Sequence, residues 1–216
     1  MKRKEFAVLG LGEFGRSVAL NLAQGGASVL AVDNCEECVQ MVADHVTYAV
    51  KADLTDPETL HMLSIQNMDV AVVCISDNLE ASILATIISK ESGVPFVMAK
   101  ARDELQASVL RKVGADQIIF PERSMGVRIA RNLIAGNFVD IIELSSKFSM
   151  VEVGIPGKWA GKTLRELNLR SVGLNMVAKK EEDEVKMVLE PDQVLRQGDV
   201  YILVGSNEAL ARIPED

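Results

Sequence analysis

The hydrophobic positions of this chain fall into short unbroken runs, separated by stretches in which apolar residues recur at helical spacing. Phe6-Ala7-Val8-Leu9, Val29-Leu30-Ala31-Val32 and Val70-Ala71-Val72-Val73-Cys74-Ile75 are apolar at consecutive positions. Such runs predict parallel strands covered on both faces. Val46–Val50, the run opened by Val94-Pro95-Phe96-Val97-Met98, and Gln117-Ile118-Ile119-Phe120 supply three more. Between them, Val18, Leu20, Leu22 and Ala23 mark an amphipathic helix pattern, and Glu36–Ala43 reads as a shorter helix. A further helix starts near Pro57, capped by Thr55 or Asp56. Another is opened by Ser76-Asp77-Asn78, runs from about Leu79 to Ser92 and stops at Gly93, and one over Glu104–Val113 ends at Gly114. The alternation of strand and helix with brief connections predicts an α/β domain of Rossmann type, a doubly wound parallel sheet.

From Pro121 the rhythm changes. Glu122 to Ala135 reads as a long amphipathic helix ended by Gly136-Asn137, and Val139–Leu144 alternates like a half-buried strand. Ser145-Ser146-Lys147 resembles a boundary. Beyond it, strands are expected at Met150–Val153, Leu174–Ala178, Glu184–Val188 and Val200–Val204, with a brief helix at Thr163–Leu167. The expected organisation is therefore a nucleotide-binding domain over 1–136, a linker over 137–147 and a small α+β module over 148–216.

The first strand flows into Gly10-Leu11-Gly12-Glu13-Phe14-Gly15, a Gly-x-Gly-x-x-Gly opening a helix. Gly10 permits the tight turn, Gly12 lets backbone approach a pyrophosphate, and Gly15 lets helix and strand pack closely. The helix then directs free N–H groups and the positive end of its dipole at the phosphates. Asp33 ends the second strand about 20 residues on, where a carboxylate binds ribose hydroxyls. That carboxylate repels a 2′-phosphate, and Asn34 rather than an arginine follows it. The order strand, glycines, helix, strand, acid specifies an adenine nucleotide.

Charge narrows the partners. A formal net charge of −8 opposes broad nucleic-acid binding, which needs concentrated Lys and Arg. Three cysteines are too few for a disulfide scaffold. Apolar runs fall well short of the roughly 20 residues of a membrane span, and Met1-Lys2-Arg3-Lys4-Glu5 is not followed by a signal-peptide core. A soluble cytoplasmic protein is expected.

Three further motifs invite chemistry. Cys35-Glu36-Glu37-Cys38 is a C-x-x-C at a helix start, but Asp33, Glu36 and Glu37 oppose a thiolate. Only Cys74, His45 and His61 are left to complete a zinc site. Gly161-Lys162-Thr163 suggests a P-loop, yet the first required glycine would fall at Pro156. Lys162 is expected in solvent and Thr163 at a helix cap. Hydride transfer needs a proton donor near the substrate carbonyl, and both histidines lie in the unit after Asp33 rather than in a second domain. Binding and switching outrank catalysis, with an NAD-dependent oxidoreductase or a free-standing nucleotide sensor as the alternatives.

The chain as a whole resembles the RCK (KTN) family, the cytosolic KtrA/TrkA-like regulatory subunits of Trk/Ktr-type potassium uptake systems. The likeness rests on Phe6–Gly15, Leu30–Asp33, Asn78–Ser82, Lys100-Ala101, Lys112–Asp116 and Pro121–Gly126, and on Gly161–Leu167 and Gln197–Gly205 in the second module. It implies a non-catalytic subunit that pairs and assembles into rings, usually octamers, beneath a separate potassium-translocating membrane subunit. ATP and ADP, or NAD and NADH, would favour different ring shapes. By the family pattern the nucleotide site comprises Gly10, Gly12, Glu13, Phe14, Gly15, Asp33, Asn34, Asp53, Leu54, Ser76, Asn78 and Lys100. Asp53 would lie near the adenine, Asn78 and Lys100 near the ribose–phosphate end. Glu122 would face a cation, Mg or Na, at a subunit interface, and the helix after it would be the dimer crossover. Some relatives bind cyclic di-AMP in the second module, for which Leu174, Asn175 and Pro191 are the matching positions, with a plain dimerisation module as the alternative. One residue departs from the pattern: ATP-binding relatives carry Arg where this chain has Glu13, which would oppose a γ-phosphate.

Overall fold

The computed structural model describes residues 3–134, 138–182, 184–187 and 189–214. The chain divides into two compact units, Met1–Glu122 and Arg123–Asp216.

The first unit alternates β1 (Glu5–Leu9), α1 (Glu13–Gln24), β2 (Ser28–Asp33), α2 (Glu36–Ala43), β3 (Tyr48–Lys51), α3 (Pro57–Met62), β4 (Val70–Val73), α4 (Leu79–Glu91), β5 (Phe96–Lys100), α5 (Glu104–Lys112) and β6 (Gln117–Ile119). The strands form one sheet in the order β3-β2-β1-β4-β5-β6, each neighbour parallel. Chain order reverses between β1 and β4, and at such a switch point a crevice opens beyond the strands' carboxyl ends. The unbroken apolar runs follow from burial on both faces. Ala7 and Leu9 of β1 pack with Ala71, Val73, Ala85, Val97 and Leu110 in one core. Val8, pointing the other way, packs with Leu11, Ala19, Val29, Val39 and Val72 in another.

α6 (Pro121–Ile134) leads into the second unit, which contains β7 (Phe138–Glu143), β8 (Phe148–Gly154), α7 (Leu164–Leu167), β9 (Leu174–Glu181), β10 (Glu184–Lys186), β11 (Val200–Ser206) and α8 (Asn207–Leu210). Its strands form an antiparallel sheet in the order β10-β9-β11-β8-β7. Here one face is covered: Ser149, Val151 and Val153 of β8 and Tyr201 and Leu203 of β11 are buried, the last four against Trp159, Leu169, Leu195 and Leu210. Thr163 closes a capping box on α7, as its motif suggested, and Lys162 is exposed.

Of the stretch read as a linker, 137–147, the described residues 138–147 belong to the second sheet and its turn. β7 pairs with β8 from Phe138↔Val153 to Glu143↔Ser149, so Ser145-Ser146-Lys147 turns a hairpin inside the second sheet. The Ser145 hydroxyl accepts from the Lys147 and Phe148 N–H groups at 3.3 and 3.2 Å, and Ser145 N–H donates to the Phe148 carbonyl at 3.0 Å. A serine-rich turn has the same composition whether it links domains or strands. The helix stop expected at Gly136-Asn137 lies outside the described residues. Among the described residues no helix is long and apolar enough to cross a membrane.

Candidate functional site

The glycine loop has the geometry its motif requires. Gly10 leaves β1 at φ +98°, and its N–H donates to the Val32 carbonyl at 2.8 Å. A Cβ on Gly15 would stand 1.8 Å from the Gly10 carbonyl oxygen, so α1 seats directly on the loop. Gly12 differs: a Cβ there would meet nothing within 4 Å. Gly12 caps α1 without a side-chain hydrogen bond, so the first N–H groups of the helix are left for another acceptor. A glycine that leaves open space beside bare helix N–H groups fits a phosphate group that must come close.

Asp33, at the end of β2, faces this loop. Its Oδ2 accepts from the Leu11 N–H at 2.5 Å and its Oδ1 from the Cys35 N–H at 2.8 Å. Each oxygen keeps a second lone pair, so a fixed carboxylate is presented for hydroxyl donors. Asp53 is fixed in a similar way. The Thr55 hydroxyl and N–H both donate to its Oδ1, at 2.7 and 2.8 Å, and hold the carboxyl below its usual range.

The opposite wall carries the positive charge. Asn78 caps α4, accepting the Ala81 N–H on Oδ1 at 3.0 Å, which leaves its amide N–H groups to donate. Lys100, at the end of β5, is only 7% exposed. Its Nζ donates to Glu122 Oε1 at 2.5 Å and lies 5.6 Å from the centroid of the Phe14 ring. That hydrogen bond holds the Glu122 carboxyl below its ordinary value. Burial pushes the neighbouring Cys74 thiol up to about 12, against the pull of Lys100.

These walls enclose one cleft of about 580 Å³, within the range of about 300–1,000 Å³ typical of small-molecule sites. Gly10, Gly12, Glu13, Phe14, Asp33, Asn34, Asp53, Leu54, Ser76, Asn78, Lys100 and Glu122 all line it. Gly15 does not line the cleft; it acts through packing. Cys38, Thr55, Cys74, Ile75, Asp77 and Ala81 also line it and were not among the expected residues. Ile75 to Asp77 follow β4 at the switch point, a position the βα rhythm could have supplied. Cys38 depends on the rotational phase of α2.

Glu13 stands at the cleft with its side chain 91% exposed, and Arg16 Nη2 donates to its Oε1 at 2.6 Å. The Arg16 guanidinium is therefore engaged one turn along from the loop. For Glu122 as a cation ligand, no group of three or more His, Cys, Asp or Glu suited to a metal occurs among the described residues.

In the second unit a groove of about 300 Å³ is lined by Asn175 and Pro191 together with Arg165, Arg170, Met176 and Leu189, among others. Arg170 Nε donates to Asn175 Oδ1 at 3.2 Å, and Arg165 grips Asp192 with two hydrogen bonds at 2.8 and 3.1 Å. Leu174 does not line this groove. It is buried in the core because successive residues of β9 point to opposite faces, Leu174 inward and Asn175 outward.

Comparison with known proteins places both units. Residues 6–121 match the TrkA-N domain and residues 148–215 the TrkA-C domain. The chain is 41% identical over 211 residues to Ktr system potassium uptake protein C of Bacillus subtilis (strain 168), covering 97% of this chain and 96% of the relative. It is 40% identical over 209 residues to Ktr system potassium uptake protein A of Vibrio alginolyticus, covering 96% and 95%. Among solved structures, the GsuK RCK domain superposes with a TM-score of 0.65 at 17% identity, covering 99% of this chain and 48% of that one. The GsuK channel bound to NAD gives 0.64 at 18%, covering 100% and 41%. At such identities these structures establish the fold that the two share, and this chain spans about half of theirs or less.

Proposed function

Because the chain belongs to the TrkA-type (RCK) family of potassium-uptake regulators, we propose that it is the nucleotide-sensing regulatory subunit of a Trk/Ktr potassium uptake system. It works at the cytoplasmic face of the membrane as a homo-oligomeric ring, an octamer built of dimers, docked on a separate potassium-translocating subunit. The supporting observation is the cleft at the switch point of the sheet. There an unobstructed Gly12, the free N–H groups of α1, the fixed Asp33 carboxylate and the buried Lys100 ammonium converge. An adenine nucleotide, ATP or ADP or else NAD or NADH, satisfies all four. Ribose hydroxyls donate to Asp33, phosphates take the α1 N–H groups and Lys100, and adenine lies toward Asp53 and Leu54.

Occupancy controls the ring through differential binding. A nucleotide shifts the equilibrium between two ring shapes only by the ratio of its affinities for them. Glu13 sets which nucleotide is favoured: its exposed carboxylate repels a terminal phosphate dianion, which weakens ATP relative to ADP, AMP or NAD(H). Glu122 holds Mg or Na at a subunit interface, and the Asn175–Pro191 groove of the second unit takes cyclic di-AMP.

Calorimetric titration of the purified full chain with ATP, ADP and NADH tests the reading, followed by potassium flux in liposomes carrying the membrane subunit. Micromolar binding of ADP or NADH with a nucleotide-dependent flux is expected. ATP binding tightest by far would remove the role of Glu13. No binding of any of the three would overturn the sensing function, and turnover of NADH with a carbonyl substrate would favour an oxidoreductase.

A further inference from the structure

The Cys35-x-x-Cys38 pair is placed where oxidation would reach the nucleotide. Cys35 is the N-cap of α2 and Cys38 its third helical residue, the two positions that an N-cap hydrogen bond brings together. Cys35 Sγ accepts the Cys38 N–H at 3.2 Å, and both thiols are partly exposed. Cys38 also lines the cleft, while the Cys35 N–H donates to Asp33 Oδ1 at 2.8 Å. One thiol thus forms cleft wall, and the residue bearing the other supports the carboxylate assigned to ribose. We propose that Cys35 and Cys38 are an oxidisable dithiol, a modification site whose disulfide form weakens nucleotide binding. The effect on binding rests on the nucleotide reading of this cleft; the modification does not.

The chemistry needs an oxidant of the hydroperoxide class. Cys35 is the attacking thiol, because its sulfur sits at the positive end of α2. Its proton has an acceptor in Glu37, whose Oε2 lies 3.5 Å from Cys35 Sγ. Glu36, a second nearby carboxylate, is neutralised in part by Lys51 at 2.9 Å. Cys38 is pushed up to about 11, first by its hydrogen bond to Cys35, then by burial and by the negative charge around it. It therefore waits as a thiol and resolves the intermediate. Cys35 Sγ attacks one peroxide oxygen, the O–O bond breaks, and a sulfenic acid and one water form. Cys38 Sγ then displaces the sulfenic oxygen as a second water, and the S–S bond forms. The two thiols lose two electrons and two protons, and hydrogen peroxide is reduced to two waters. The neighbouring carboxylates make the first step slow, which suits a response to sustained oxidation in a reducing compartment. Bonding the sulfurs fixes a side chain that lines the cleft to the residue whose N–H holds Asp33, which is how the link would reach the nucleotide.

The test uses the full chain treated with hydrogen peroxide, alkylated and mapped by mass spectrometry, with ADP affinity measured before and after. A Cys35–Cys38 link with the loss of two hydrogens is expected. So are a tenfold or larger weakening of ADP binding and recovery of both on reduction with dithiothreitol. Cys35→Ser keeps a good N-cap, so it should fold normally, and whatever ADP affinity it shows when reduced should be the same after peroxide treatment. Absence of the link while exposed methionines are oxidised would overturn the proposal, as would a link that leaves ADP affinity unchanged. The mapping needs no nucleotide, so a reduced chain that binds no ADP refutes the nucleotide reading and leaves the dithiol to be judged by its mass alone.

Discussion

Gly12→Ala and Gly15→Ala add the same methyl group three residues apart and should fail in opposite ways. At Gly15 the new Cβ would stand 1.8 Å from the Gly10 carbonyl oxygen and 2.9 Å from its carbon, both backbone atoms of the loop. The loop or α1 must move by more than an ångström, an overpacking penalty of about 3 kcal/mol or more. The better helix propensity of alanine returns only about 1 kcal/mol. A net loss of roughly 2 kcal/mol lowers Tm by about 8 °C for a unit of this size, and nucleotide binding falls with the deformed loop. At Gly12 the new Cβ meets no protein atom within 4 Å, and φ −58° with ψ −179° suits alanine. The apo protein then loses only the difference between a glycine and an alanine cap, about 1 kcal/mol or less. The methyl group stands in the space assigned to the pyrophosphate, so ADP affinity should drop about a hundredfold, roughly 2.7 kcal/mol. Thermal unfolding without nucleotide, paired with calorimetric titration of ADP, separates the two. Gly12→Ala binding ADP as the parent does, or losing as much Tm as Gly15→Ala, would refute this assignment of the open space.

Other residues give further expectations. With divalent cations chelated, Glu122 competes with phosphate for the Lys100 ammonium 2.5 Å away; Glu122→Gln should then tighten ADP severalfold in titrations. Glu122 is 70% exposed but its partner Lys100 is buried, so losing the charged acceptor should cost the apo protein about 1–3 kcal/mol in unfolding measurements. Asp116 accepts the Val97 N–H at 2.7 Å and Lys90 at 3.0 Å, and first the N–H bond holds its carboxyl below the usual range. A depressed carboxyl stabilises the fold above its unfolded value of about 4 and loses that contribution as pH falls through the folded value. Asp116→Asn should therefore flatten the acid limb of stability against pH in denaturant titrations, while an unchanged limb would remove Asp116 from it. In the second unit, Thr163 Oγ1 accepts the Glu166 N–H at 3.2 Å and Glu166 Oε2 accepts the Thr163 N–H at 2.7 Å. Thr163→Ala should cost that unit about 1 kcal/mol in unfolding measurements, with ADP affinity untouched.

What the sequence disclosed follows from how local each feature is. The sheet of the first unit was legible because burial on both faces leaves consecutive apolar residues, and because the glycines and Asp33 carry their reasons in their own geometry. The hairpin of β7 and β8 was not. Its identity lies in which strand Phe138–Glu143 pairs with, and a turn such as Ser145-Ser146-Lys147 does not encode that. Leu174 and Asn175 show the same difficulty at one-residue scale. Strand phase decides which of the two faces the groove, and a shift by one residue exchanges them. The Lys100–Glu122 pair joins positions 22 residues apart in the chain, so each was foreseen singly and their contact was not.

The protonation states around the cleft bear on what such a site does best. Burial and hydrogen bonding push the Cys38 and Cys74 thiols up to about 11 and 12, so both stay protonated at neutral pH. Asp53 and Glu122 are held below their usual range and stay ionised. A proton-transfer catalyst works best with a group whose pKa lies near the operating pH, whereas groups fixed in one state make a steady electrostatic frame for a ligand. In the proposed nucleotide site the buried Lys100 is the adjustable part of that frame, since its ammonium, paired here with Glu122, would pair with a phosphate instead. Glu122 stands on the first turn of α6, so exchanging one partner for the other alters the contacts at the start of that helix. A tenfold bias between two shapes needs about 1.4 kcal/mol, less than a typical hydrogen bond to a charged group contributes. On the proposed reading, the exchange biases the two shapes only by the difference between the two pairings.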